Sequence, residues 1–230
     1  MKTSTLIIFF SFLCLFTRAQ NYAIINDKDG FVNIRKEANS KSEIIGKLYS
    51  KNIFLYDTES ETLSKWIKIY KQQPKKSLLE GYVYEDKIYS ISRFPRLRQK
   101  KTSINNSTLQ NDSMLVTVRS SKFISKNHRL SFQGDQTHID GKLIWGADNS
   151  MPHIHISSVI VSIDGNIVNI PNKAFEDLYE PNYSNFNVYL GKNNTIYIEM
   201  DNSDGAGAYT VIWIIKDGKY FDRYIDNLNV

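Results

Sequence analysis

Val211-Ile212-Trp213-Ile214-Ile215 is apolar at every position. A strand turns successive side chains to opposite faces, so an unbroken apolar run marks a segment covered on both sides. It is expected to be the central strand of a packed sheet. Outward from it the chain keeps the same grammar. Asp217-Gly218-Lys219 supplies turn residues that tolerate positive φ and leads into a β-rich run at 220–225. Upstream, runs at 186–190 and 195–200 flank Gly191-Lys192-Asn193-Asn194, and runs at 154–163 and 167–170 flank Asp164-Gly165-Asn166. Shorter β-rich segments precede them at 114–118, 129–132 and 143–145. An antiparallel β-sandwich-like domain over residues 112–230 is the economical packing of these runs. One short helix is expected within it. Residues 174–179 put Phe175, Leu178 and Tyr179 on one helical face, with Asn172 as cap and Pro181 as stop.

At the other end, residues 1–19 read as a secretory signal peptide. Lys2 is the positive start, residues 6–16 are apolar but too short to cross a bilayer, and Thr17 and Ala19 are small residues at the cleavage site. The single cysteine, Cys14, falls inside this segment. The mature chain is then cysteine-free and offers no thiol nucleophile, cysteine zinc site or disulfide. An exported, periplasmic or extracellular protein follows, and not an integral membrane protein once the signal is cleaved. With 41% hydrophobic and 23% charged residues the chain can build a core, which excludes disorder.

Residues 20–92 hold short strands at 23–26, 31–35, 52–56, 66–70 and 81–84, enough for a small barrel. Trp66-Ile67-Lys68-Ile69-Tyr70 alternates: with Ile67 and Ile69 facing the core, Trp66 and Lys68 face out. By the same parity Val83 faces in, and Tyr82 and Tyr84 face out. Trp66, Tyr82 and Tyr84 are therefore the candidate ligand-binding residues, suited to stack on a sugar ring or hold a peptide. The competing reading uses them to cover an inter-domain interface or the 71–80 connection.

Four blocks in this region, Asp29-Gly30-Phe31-Val32-Asn33-Ile34-Arg35, Ser42-Glu43-Ile44-Ile45-Gly46, Trp66-Ile67-Lys68-Ile69 and Gly81-Tyr82-Val83, resemble the successive blocks of the bacterial SH3-like domain. The resemblance spans about residues 22–92. It implies an SH3-like barrel working outside the cytoplasm and recognising peptide or peptidoglycan. The chain departs from the family pattern at Ala38, where a Gly-Pro turn is common, and in the lengthened 71–80 connection.

Charge is distributed unevenly. Between Arg93 and Lys101 there are five basic residues and no acid, whereas residues 102–230 carry ten basic and fourteen acidic residues. Pro95 and the polar run after Lys101 mark residues 93–111 as a basic, polar linker, able to touch an acidic envelope polymer or lipid headgroups. The domains on either side are expected to be separable. Nucleic acid is not an expected partner for an exported chain whose larger domain is acidic.

Candidate chemistry is sparse. His138, His153 and His155 are the only weak metal candidates, His153 and His155 sharing one side of a strand unless a bulge near Ser157-Ser158 intervenes. Asp201, Asp204, Gly205 and Gly207 form a polar loop that lacks the ligand spacing of a calcium loop and reads as a contact loop on a tight turn. Glu176 and Glu180 would share a helix face as solvated charges. No Gly-x-Ser-x-Gly elbow, phosphate loop or His-Glu-x-x-His helix is present. No catalytic residue and no cofactor is assigned. The sequence thus points to a secreted, non-enzymatic envelope protein whose partner is peptidoglycan or an envelope peptide or protein. The alternatives are a periplasmic inhibitor or immunity-type protein and, less favoured, a hydrolase using His153 or His155.

Overall fold

The computed structural model describes residues 21–57, 65–73, 77–134 and 136–227, so the expected signal peptide and Cys14 lie outside the described residues. The chain is all-β. A seven-stranded antiparallel sheet is built from β1 (Asn21–Ile25), β2 (Phe31–Arg35), β3 (Ile44–Tyr49), β4 (Phe54–Tyr56), β5 (Trp66–Gln72), β6 (Leu78–Tyr84) and β7 (Ile88–Ser90), in the order β3-β2-β6-β5-β4-β1-β7. Leu48 of β3 and Ile88 of β7, from opposite ends of that order, share one buried cluster with Ile34, Phe54, Ile67 and Val83. The sheet is therefore curled around its own core. Within the expected 71–80 connection the described residues at both ends belong to strands: β5 and β6 run on, with Lys71 opposite Leu79 and Gln72 opposite Leu78.

Two further sheets pack face to face. One contains β8 (Gln99–Ser103), β9 (Asn106–Gln110), β10 (Met114–Lys122), β14 (Ile154–Ile163) and β15 (Asn166–Val168); the other contains β16 (Phe186–Leu190), β17 (Thr195–Asn202), β18 (Tyr209–Lys216) and β19 (Lys219–Asp226). A small three-stranded sheet of β11 (Leu130–Gln133), β12 (Gln136–Ile139) and β13 (Lys142–Leu143) flanks them. Val211, Trp213 and Ile215 enter the sandwich core beside Val118, Val161 and Ile198. Ile212 and Ile214, on the opposite face of β18, pack with Tyr22, Leu55, Ile91 and Phe94 of the amino-terminal unit. The four-stranded sheet is thus a middle layer, covered by the five-stranded sheet on one side and the curled sheet on the other. This is the physical reason for the unbroken apolar run. The Asp217-Gly218 turn between β18 and β19 has φ of 49° and 70°, the two positive values of a tight hairpin turn.

Three expectations need correction. Residues 93–111 are not a linker: Phe94 and Leu97 are buried, and residues 99–110 form the β8–β9 hairpin at the edge of the five-stranded sheet. Lys100 donates to the carbonyls of Tyr183 and Ser184 at 2.5 and 3.3 Å, so part of the basic stretch is fastened to the protein. With the apolar interface on the middle layer, the two halves are one packed body instead of the separable pair expected from the polar composition of residues 100–112.

The helix expected at 174–179 is absent. Only a 3-10 turn at Asn172–Ala174 forms. Turn residues 175–177 follow, and the chain is extended only at Leu178 and Tyr179, Leu178 bridging to Trp145 and Tyr179 to His155, while the Ile156 and Trp145 amides donate to the Leu178 and Asp177 carbonyls at 2.9 Å each. Tertiary hydrogen bonds thus take the backbone groups that a helix would use. Arg223 grips both Asp177 oxygens at 2.6 Å, and Trp213 Nε1 donates to the Ala174 carbonyl at 2.7 Å.

Candidate functional site

The outward face of the β5–β6 hairpin carries an aromatic ledge. Trp66 lies directly opposite Tyr84, and Lys68 opposite Tyr82, while Ile67, Ile69 and Val83 point into the curled sheet. The Trp66 and Tyr84 rings meet edge to face, with centroids 5.5 Å apart and planes at 77°. Tyr82 also pairs across to Arg35 on β2, so its ring stands between two cationic residues. All three aromatics are half-buried. Lys68 Nζ contacts Glu80 at 2.9 Å, a hydrogen bond that raises the lysine pKa. Further along the same face of β5, Tyr70 enters the interface with the middle layer; Trp66, Tyr82 and Tyr84 do not belong to that cluster. The ledge can offer ring faces and edges flanked by positive charge, which suits a sugar or a peptide side chain.

The 201–208 loop divides in two. Asp201, the penultimate residue of β17, accepts a hydrogen bond from Thr210 Oγ1 at 2.7 Å, on the face turned to the amino-terminal unit. Asp204, exposed, lies instead with Asp148, Glu180 and His153 along a polar cleft of about 470 Å³. Gly205 has φ of 52°, and a Cβ on Gly207 would stand 3.2 Å from the Asp148 amide nitrogen, so this turn lets the 147–148 segment approach closely. Asp201 and Asp204 therefore do not act as a pair.

The histidines occupy separate environments. His138 is buried in β12 with Nδ1 3.3 Å from the Gln136 carbonyl; His153 is exposed, its amide donating to Glu180 Oε1 at 2.5 Å. His155 packs in an aromatic cluster with Phe123 and Tyr179, where burial, and secondarily the nearby His128, holds its pKa below the ordinary value. Ser157 is the extra residue in the β10–β14 pairing: Arg119 faces Ser158 and Ser120 faces Ile156. This bulge lets Ile156 and Val159 both face the core. Among the described residues no three metal-ligating acids, histidines or cysteines come together. Glu180 has φ of 47° and no helix links it to Glu176.

Sequence reasoning missed a row of carboxyl groups under the middle layer. Asp201 lies opposite Thr210, and Thr210 opposite Asp226; two residues along, Glu199 lies opposite Ile212 and Ile212 opposite Tyr224. Asp226 is fully buried and accepts from Tyr22 Oη at 3.0 Å and from Tyr224 Oη. Alternating polar positions at 199, 201 and 226 inside otherwise apolar strands were the available signal. Burial, reinforced by Asp201, pushes Glu199 up to about 8 from its ordinary 4.5. The unfolded chain ionises this group near 4.5 while the folded chain keeps its proton, so its stabilisation is complete below pH 4.5 and is lost as pH rises towards 8. The melting temperature is expected to fall between pH 5 and pH 8. Glu199→Gln should flatten that fall and stabilise the protein at pH 8 by about 1–2 kcal/mol. Thermal melts of both proteins across this range check it; equal slopes would contradict it.

Among the described residues no helix is long and apolar enough to cross a membrane. No known protein family, curated protein or solved structure matches the chain.

Proposed function

We propose that the chain is an exported, non-enzymatic envelope protein. In this reading its amino-terminal unit is a bacterial SH3-like module that binds peptidoglycan or an envelope peptide or protein, with the carboxy-terminal sheets as a second contact surface. The observation that carries it is the Trp66–Tyr82–Tyr84 ledge, three aromatics left outside the inter-layer core and flanked by Arg35 and Lys68. A monomer gains nothing in stability by leaving large rings half in water, whereas a ligand that covers them recovers that apolar area. The signal-like residues 1–19 and the resemblance over 22–92 point to the compartment and the ligand class.

Co-sedimentation of residues 20–230 with isolated cell-wall sacculi tests the reading. Binding is expected to survive high salt, to release no soluble fragments, and to weaken at least about tenfold in Trp66→Ala or Tyr82→Ala, as for an aromatic anchor worth more than 1 kcal/mol. Binding that disappears with salt, or that ignores both substitutions, would contradict it. The inhibitor or immunity-type reading draws on a different observation, the acidic cleft of Asp148, Glu180 and Asp204. It gains ground if a basic protein partner is lost on Asp204→Asn while sacculi do not bind.

A further inference from the structure

A second cleft, of about 650 Å³, opens where the curled sheet meets the middle layer. Its floor is the shared interface core, with Ile53, Phe94, Tyr197 and Ile214. Its rim is cationic. Lys28 and Lys51 stand on one wall, in the turns after β1 and β3; Lys192 and Lys216 stand on the other, in the β16–β17 turn and at the end of β18. All four are exposed, and none forms an ion pair among the described residues. Aromatic rings hold two of them instead: Lys192 Nζ lies 5.2 Å from the Tyr89 ring centre and Lys216 Nζ 5.8 Å from that of Phe221. The one carboxylate among the described lining residues, Asp27, is already engaged by Lys87 and by the Asp29 amide.

Four ammonium groups around a concave, apolar floor concentrate positive potential where it is least screened. An ammonium is a point charge with rotatable donors and no planar fork, so the set suits several carboxylates spread along a ligand better than one anion gripped at two oxygens. Between the lysines, Asn26, Ser50, Asn193 and Thr195 contribute amides and hydroxyls that both donate and accept. The exposed Phe221 adds apolar ring surface. We propose that this cleft binds a carboxylated oligosaccharide, with sugar carboxylates on the lysines, hydroxyls on the amide and hydroxyl groups, and C–H faces against that ring. An acidic peptide shares the carboxylates but lacks the row of hydroxyls that these four side chains match. The site is separate from the aromatic ledge and stands whether or not the ledge binds the cell wall.

Calorimetric titration of residues 20–230 with tetragalacturonate, maltotetraose and tetraglutamate tests the assignment. Tetragalacturonate is expected to bind and to raise the melting temperature, because its two walls belong to different layers and are tied together by the ligand. Lys51→Glu and Lys192→Glu should each weaken it at least about tenfold. Lys101→Glu makes the same charge change at an exposed position on β8 and should alter binding less than about twofold. Absence of binding would overturn the proposal, as would equal binding of maltotetraose, binding of tetraglutamate as tight as that of the sugar acid, or an equal loss in all three variants.

Discussion

Trp213→Ala is expected to destabilise the protein by about 3–5 kcal/mol, the range for emptying a large aromatic site in a close-packed core. Trp213 is fully buried at the centre of the sandwich, cross-strand from Ile198 on one side and Arg223 on the other. Its indole nitrogen also donates to the Ala174 carbonyl, which keeps a second donor in Arg223 Nη1 at 3.1 Å. The loss is therefore mainly one of packing. Trp213→Phe should cost less, about 1–2 kcal/mol, because most of the volume is retained. Denaturant unfolding measures both, and near-equal losses would show that the hydrogen bond, not the volume, dominates.

Asp226→Ala is expected to cost about 2–4 kcal/mol, with a structural signature of its own. The carboxylate is fully buried and receives hydroxyls from two directions: Tyr22, at the start of the curled sheet, and Tyr224, on its own strand. The two tyrosine rings meet edge to face, with centroids 5.6 Å apart. Removal of the acceptor takes a hydrogen-bond partner from both hydroxyls at the contact between layers, so the damage falls on the joint and not on either core. Protease sensitivity should rise at the junction of the halves more than within β16–β19. A variant that melts like the native protein and shows no new cleavage would contradict this role for Asp226.

The joint explains what was and was not legible in the sequence. Strands announced by alternation or by flanking Asp-Gly turns were readable: β5 with Ile67 and Ile69 inward, and β18 with its two-sided apolar run. That run indicated a central strand, yet a middle layer needs a second covering sheet, and its identity resides in Tyr22, Leu55 and Phe94, more than a hundred residues away. The β8–β9 hairpin was invisible for the opposite reason. Gln99–Ser103 is exposed at every position, so its only signal is an edge pairing of backbone to backbone. Residues 174–179 carried a helical apolar spacing, but Phe175, Leu178 and Tyr179 are buried by a turn and a two-residue extended stretch fixed through Trp145, His155 and Arg223. Spacing reports which residues seek burial; here tertiary hydrogen bonds decided the backbone that delivers them.

The candidate sites follow the same division. Trp66, Tyr82 and Tyr84 were found because strand parity is local. The lysine-rimmed cleft was not found, since Lys28, Lys51 and Lys192 come from three turns and Lys216 from the end of β18, and they meet only when the layers pack.

Hydrogen exchange of residues 20–230, with and without soluble peptidoglycan fragments, tests the proposed function most directly. Protection is expected to rise along β5 and β6 around Trp66, Tyr82 and Tyr84, and Tyr82→Ala should abolish the rise. Unchanged exchange at these strands, or protection confined to the basic residues 93–101, would contradict the assignment of the ledge as the binding surface.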